Sequence, residues 1–168
     1  MCRIFLIMFF FFNMVVNAAD NDLSLDSLDL KGKQFKVLFV EDNSLAVRCF
    51  FKFVEKINDQ GYKIDVVSAD NRTDAVSRYA GRTGPFDLIL MDLCMPQKAG
   101  DKVGSECEGI RAAQEIRALG YTGVMLAVTS EDSEVLERLQ GENPSLFREW
   151  RGKIQNIQDL QGMLDSIG

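Results

Sequence analysis

From Gln34 onward the chain alternates two hydrophobic patterns. Short, nearly unbroken apolar runs are FKVLFV (35–40), YKIDVVSA (62–69), FDLILM (86–91), TGVMLAVTS (122–130) and the weaker LFREWRGK (146–153). Runs of this length and β-branched content fit strands buried on both faces. Between them, apolar residues recur at helical spacing. Val47, Phe50, Phe51, Val54 and Ile57 form a stripe at i, i+3, i+4, i+7 and i+10. Asn43 or Ser44 can cap that helix and Gly61 ends it. A second helix is predicted over 70–80 with Ala75, Val76 and Tyr79 inward. A third runs over 109–119, with Ala112, Ile116 and Leu119 on one face and Gly120 as the stop. Ser130 can cap a fourth, whose first turn carries Glu131, Asp132 and Glu134, signs that suit the helix dipole. Ile157, Leu160, Leu164 and Ile167 mark a closing helix. Loops fall at 81–85, 97–108 and 141–145.

Strand and helix alternating five times imply an α/β fold, a parallel sheet with helices on both faces, in a single domain over 34–168. Residues 20–33, polar and acidic, read as a linker. Residues 1–19 are a hydrophobic leader: Arg3 precedes an apolar run, Asn13 interrupts it, and Val16-Asn17-Ala18 offers a small-residue cleavage site before Ala19. It is signal-like, and short for a span of about 20 residues. Export, an uncleaved membrane tether and a coding start placed too far upstream all fit it.

Composition narrows the chemistry. At 46% apolar and 26% charged, the 168 residues can build an ordinary core. The net charge of −6 argues against nucleic acid as a partner. There is no histidine, which excludes His general-base work, His metal ligands and a phosphohistidine on this chain. Cys2, Cys49, Cys94 and Cys107 show no CxxC spacing and read as reduced thiols.

In a parallel α/β sheet, functional groups collect beyond the carboxyl ends of the strands. Glu41 and Asp42 follow the first strand, Asp92 the third, Thr129 and Ser130 close the fourth, and Lys153 follows the fifth. Three clustered carboxylates repel unless some are protonated or a cation sits among them. An all-oxygen set favours a hard ion, Mg²⁺ or Mn²⁺. A lysine opposite such an ion can hold an anion between them, which phosphoryl transfer requires, and aspartate is a competent nucleophile for an acyl phosphate. No GxxxxGK[ST] supports a P-loop. Each residue also has a plainer reading: Asp42 as a helix cap, Thr129 as a strand residue, Lys153 as a solvated charge, Trp150 as a packing aromatic, Cys94 as a bystander thiol.

The segments KVLFVEDNS, FDLILMDLCMP, EGIRAAQEIRALG, GVMLAVTS and WRGK together resemble the response-regulator receiver domain of two-component signalling, in its stand-alone, chemotaxis-receiver-like form. The resemblance implies a flavodoxin-like (βα)5 sheet in strand order 2-1-3-4-5. It makes Asp92 the phosphoacceptor and Asp42 a direct Mg²⁺ (or Mn²⁺) ligand, with Glu41 helping and the Cys94 backbone carbonyl as a further ligand. It gives Thr129 and Lys153 the phosphoryl group to bind, and Trp150 the place of a switch aromatic. The chain departs from the family pattern in three places. Ile154 follows Lys153 where the family has proline. Residues 100–108 form an insert before Gly109. Trp150 is larger than the usual ring.

The expected function is to take a phosphoryl group from the phosphohistidine of a histidine kinase or histidine phosphotransfer protein. The protein would catalyse only its own phosphorylation and dephosphorylation. Nothing follows Gly168, so the expected output is contact with a downstream protein, or relay of phosphate, through helix four, strand five and helix five. A pseudo-receiver that binds partners without phosphate is the main alternative, and a metal-dependent phosphatase a third. Phosphohistidine donors are made inside the cell, so a cytoplasmic, membrane-proximal location is expected over export.

Overall fold

Alternation along the strands divides the apolar side chains between two cores, one on each face of a five-stranded parallel sheet. The computed structural model describes residues 32–81, 85–102, 107–165 and 167. The leader, all of the linker but Gly32 and Lys33, and residues 103–106 of the insert lie outside them. The strands are β1 Gln34–Val40, β2 Lys63–Ala69, β3 Leu88–Met91, β4 Val124–Thr129 and β5 Glu149–Gly152. The helices are α1 Ser44–Asp59, α2 Arg72–Ala80, α3 Glu108–Ala118, α4 Ser133–Glu142 and α5 Ile157–Asp165. The order across the sheet is β2-β1-β3-β4-β5, all parallel, as the resemblance implies.

On one face Phe35, Val37, Phe39, Leu88, Leu90, Leu126 and Val128 meet α1 and α5. On the other Leu38, Val40, Ile89, Met91, Met125 and Ala127 meet α2, α3 and α4. The hydrophobic runs are continuous because both faces of the central strands are covered. Phe50 of α1 stacks on Phe39 of β1 at 4.0 Å between ring centroids. Burying each such ring contributes about 1.5–3 kcal/mol.

Local chemistry sets the helix starts. Asn43 caps α1, its side chain accepting from the N–H groups of Leu45 and Ala46. Asn71 caps α2, so that helix begins at Arg72 rather than 70. The predicted cap of α4 is corrected: Asp132, not Ser130, accepts from Val135 N–H, and Glu131 stays in the preceding loop. Two predicted stripes are narrower than expected. Phe51 is exposed beside buried Phe50, Val54 and Ile57, and Leu119, just past α3, is 52% exposed. Val47 and Val76 are half-buried. A helix has one stripe wide enough for its partner, and α1 fills its own with Phe50, Val54 and Ile57. Among the described residues no helix is long and apolar enough to cross a membrane.

Candidate functional site

Strand register assembles the site. Val40 of β1 pairs with Met91 of β3, and Met91 with Ala127 of β4. One residue further, Glu41 N–H donates to the Ala69 carbonyl and Asp92 N–H to the Val40 carbonyl, both at 2.9 Å. Glu41 and Asp92 therefore emerge side by side at the carboxyl edge, and both are buried. Asp42 is next in line and exposed. Oxygens of Glu41, Asp42 and Asp92 lie within 4.8 Å of one another.

Lys153 closes the group. Its Nζ lies 2.5 Å from Glu41 Oε2 and 2.8 Å from Asp92 Oδ2. All described peptide bonds are trans, the Lys153–Ile154 bond included, and the lysine still reaches. β5 ends at Gly152, opposite Thr129, so the next residue is free to turn inward.

Electrostatics explain what such a cluster accepts. Burial raises the pKa of Glu41, and the Lys153 contact only partly offsets it. Asp92 is likewise pushed up by burial, against the pull of Lys153. Burial works against the Lys153 ammonium, but Asp92 and Glu41 together outweigh it and raise its pKa. Three carboxylates and one ammonium leave two negative charges in a mostly buried, all-oxygen group. That donor set fits a hard divalent cation.

The other predicted residues divide into two groups. Thr129 is buried at the end of β4, and its Oγ1 accepts from Glu131 N–H at 3.3 Å. Cys94 lies at the group: its N–H donates to Asp92 Oδ1 at 3.3 Å. Its thiol donates to Glu131 Oε1 at 2.9 Å, and burial foremost, with Glu131, pushes that thiol up to about 12. Trp150 is not brought to the acidic group. It sits on β5 opposite Ala127, edge-on to Phe147 at 4.9 Å, with a buried indole N–H that has no hydrogen-bond partner.

The loop after β3 is braced from both sides. Gly109 N–H donates to the Leu93 carbonyl at 3.1 Å, and a side chain at 109 would overlap the Asp92 carbonyl. The Pro96 and Gln97 carbonyls accept from the N–H groups of Arg72 and Thr73 at the head of α2. Arg72 in turn ties α2 to Glu108 and Glu115 of α3, at 2.7 and 2.5 Å. Glu131 and this Arg72 tie escape sequence reasoning. The only signal for Glu131 is an acid two residues beyond Thr129.

No protein-family model matches the chain. The chain is 39% identical over 84 residues to hybrid signal transduction histidine kinase B of Dictyostelium discoideum, covering 50% of this chain but only 4% of that protein. It is 32% identical over 99 residues to the two-component response regulator ORR41 of Oryza sativa subsp. japonica, 59% of this chain and 68% of that one. In structure it resembles a response regulator receiver domain protein (CheY-like) from Methanospirillum hungatei JF-1. That match has a TM-score of 0.58 and 16% identity, over 80% of this chain and 93% of the other.

Proposed function

Because the chain belongs to the two-component response regulators, as a single receiver domain of flavodoxin-like fold, we propose that Asp92 accepts a phosphoryl group from a phosphohistidine on a partner histidine kinase or phosphotransfer protein. The observation that carries this reading is Lys153 Nζ, 2.8 Å from Asp92 Oδ2, inside a cluster of three carboxylates. A nucleophile, a cation site and an anion partner share one strand edge.

An Asp92 carboxylate oxygen attacks phosphorus in line. The P–N bond breaks as the new P–O bond forms, and the imidazole leaves with the electron pair and takes up a proton. Mg²⁺ or Mn²⁺, held by Asp42 and Asp92 with Glu41 and the Cys94 carbonyl beside them, would supply charge neutralisation for that transfer. Lys153 then shifts from the carboxylates to the phosphoryl oxygens. Thr129 is suited to donate to the same group: its Oγ1 accepts from Glu131 N–H, which leaves the hydroxyl hydrogen free to donate. Movement of Thr129 and Lys153, at the ends of β4 and β5, biases the surface of α4, β5 and α5, with Trp150 among the side chains that respond. A downstream protein reads that surface, or the phosphate is relayed. Phosphohistidine chemistry argues for a cytoplasmic site of action.

The test is incubation with acetyl phosphate and Mg²⁺, alongside phosphotransfer from a panel of histidine kinases. The wild type should acquire an acid-labile, hydroxylamine-sensitive acyl phosphate that Asp92→Asn does not. Beryllofluoride with Mg²⁺ should change the Trp150 emission. A wild type that neither labels nor responds to beryllofluoride is a phosphate-independent binding module, and the proposal fails. Turnover of small phosphate esters would instead mark a phosphatase.

A further inference from the structure

The loop after β3 leaves the sheet at Asp92 and returns at Glu108, and Arg72 at the head of α2 grips both arms. On the outgoing arm, the N–H groups of Arg72 and Thr73 donate to the Pro96 and Gln97 carbonyls at 3.1 and 3.0 Å, and the Thr73 hydroxyl donates to Gln97 as well. On the returning arm, Arg72 Nη1 donates to Glu108 Oε2 at 2.7 Å. The Nε and Nη2 of the same guanidinium meet Glu115 Oε1 at 2.9 and 2.5 Å. Glu108 is buried, and its other cation, Arg111, stands off at 3.5 Å. A buried carboxylate needs its cation, and a guanidinium fork fixes direction as well as distance. Glu108 is therefore held wherever Arg72 is held.

Gly109, the next residue, carries that position to the acidic group. Its N–H donates to the Leu93 carbonyl at 3.1 Å, and its Cα sits too close to the Asp92 carbonyl for any side chain. Cys94 lies between Leu93, held by the returning arm, and Pro96, held by the outgoing one. Closing a longer loop costs more entropy, so a turn lengthened at 100–108 needs its ends held from outside. We propose that Arg72, acting through Glu108, is a positioning residue for the cation site: it fixes the Cys94 carbonyl relative to Asp42 and Asp92 and so sets the affinity for Mg²⁺. The inference rests on reading Asp42, Asp92 and the Cys94 carbonyl as the ligands of that ion. Arg72 itself touches neither the ion nor the reacting atoms. Glu115 is the internal comparison. It binds the same guanidinium from two turns further along α3, its side chain is 42% exposed, and it does not adjoin the loop.

The experiment is calorimetric titration of Mg²⁺ into the full chain as wild type, Arg72→Gln, Glu108→Gln, Glu115→Gln, the Arg72→Gln/Glu108→Gln double variant and Asp42→Asn. Circular dichroism first fixes a temperature at which each is folded. Glutamine at 108 needs no cation, so Glu108→Gln and the double variant keep the test decisive if Arg72→Gln alone does not fold. Amide hydrogen exchange on the metal-free wild type and Glu108→Gln reads the loop without any ion.

Loss of a group that orients a metal ligand weakens binding by about 10–100-fold. Arg72 acts through one residue more, so Arg72→Gln and Glu108→Gln should each raise the Kd for Mg²⁺ by about tenfold. The double variant should be no weaker than either single one, because both remove the same tie. Glu115→Gln should stay within about twofold of wild type. In metal-free Glu108→Gln the N–H groups of Thr73 and Gly109 should exchange about tenfold faster, while that of Ala75, bonded to the Asn71 carbonyl, keeps its wild-type rate. A purely structural role would lower stability and leave the Kd of the folded protein alone. The inference is overturned by a folded Glu108→Gln that binds Mg²⁺ as wild type does, by a Glu115→Gln that weakens binding as much as Glu108→Gln, or by additive losses in the double variant. Failure of the site reading looks different: a wild type that takes up no Mg²⁺, or an Asp42→Asn that binds it equally well, which removes the inference with it.

Discussion

Replacing Gly109 with alanine is expected to destabilise the fold by about 2 kcal/mol, within a range of about 1–4, although glycine-to-alanine inside a helix ordinarily stabilises. The propensity gain is at most about 1 kcal/mol. Against it stands a collision with backbone. A Cβ at 109 would lie 1.9 Å from the Asp92 carbonyl oxygen, 2.7 Å from Leu93 Cα and 2.8 Å from Asp92 carbonyl carbon. Ordinary carbon contacts need about 3.5 Å, so α3 must retreat by more than about 1 Å. Overpacking of this kind costs about 1–3 kcal/mol. The retreat also weakens the Gly109 N–H bond to the Leu93 carbonyl, at 3.1 Å, which contributes about 0.5–1.5 kcal/mol. Gly141 is the control. It is helical, exposed, and a Cβ there meets nothing within 4 Å. Gly141→Ala should therefore gain up to about 1 kcal/mol. Urea unfolding followed by far-UV circular dichroism reads both. With an m-value of about 2 kcal/mol/M, the Gly109→Ala midpoint should fall by about 1 M and that of Gly141→Ala should rise by up to about 0.5 M. A Gly109→Ala midpoint at or above wild type would refute the close approach of α3 to the loop after β3.

Three further outcomes follow from the site and its surroundings. Burial raises the pKa of Glu41 and Asp92 above their unfolded values, so their contribution to stability is present below the unfolded values and is lost as pH rises through the folded ones. With no histidine to titrate nearby, the metal-free chain should melt higher at pH 5 than at pH 7.5, and Asp92→Asn should flatten that slope; an unchanged slope counts against the buried-acid account. Mg²⁺ at ten times its Kd should add about 1.4 kcal/mol of stability, read as a rise in Tm, and Asp42→Asn should lose most of it; an undiminished rise in that variant would place the ion elsewhere. Trp150→Phe gives up ring area but also removes a buried indole N–H without a partner, a group whose burial costs about 1–3 kcal/mol. Its stability should stay within about 1 kcal/mol of wild type, and a loss beyond about 2 would mean that the N–H is bonded.

Legibility in the sequence followed the range of each interaction. Strands β1 and β3 were readable from 35–40 and 86–91 because both faces of a central strand are buried, so composition alone marks them. The site positions were readable for a related reason. In a parallel sheet the residues at and just past the end of each apolar run land on one edge: the register of Val40 and Met91 delivers Glu41 and Asp92 there, and Thr129, the last residue of β4, lies opposite Gly152. Periodicity gives the direction of the α1 stripe but not its width: Phe51 fits the helical spacing, yet Phe50, Val54 and Ile57 fill the groove and leave it exposed. Ser130 and Asp132 are both good caps, and preference could not choose between them. The Cys94–Glu131 contact joins residues 37 apart through two loops, and no local pattern reports it.

Lys153 shows which features of the family pattern this site needs. Proline is replaced by Ile154, the bond before it is trans, and the ammonium nevertheless bridges Glu41 and Asp92. Two local features account for the reach. Gly152 closes the ladder against Thr129 and frees the chain to turn. Ile154 is half-buried and packs against the core beneath α1 and α5. Together with Phe39, Ala46, Phe50 and Val128 it walls a void of about 20 Å³ below the Glu41–Lys153 pair, room for no more than one water. The lysine is thus anchored behind by apolar packing and drawn forward by two buried carboxylates. An isoleucine supplies the packing that fixes the loop, and the charge deficit of the acidic group supplies the direction.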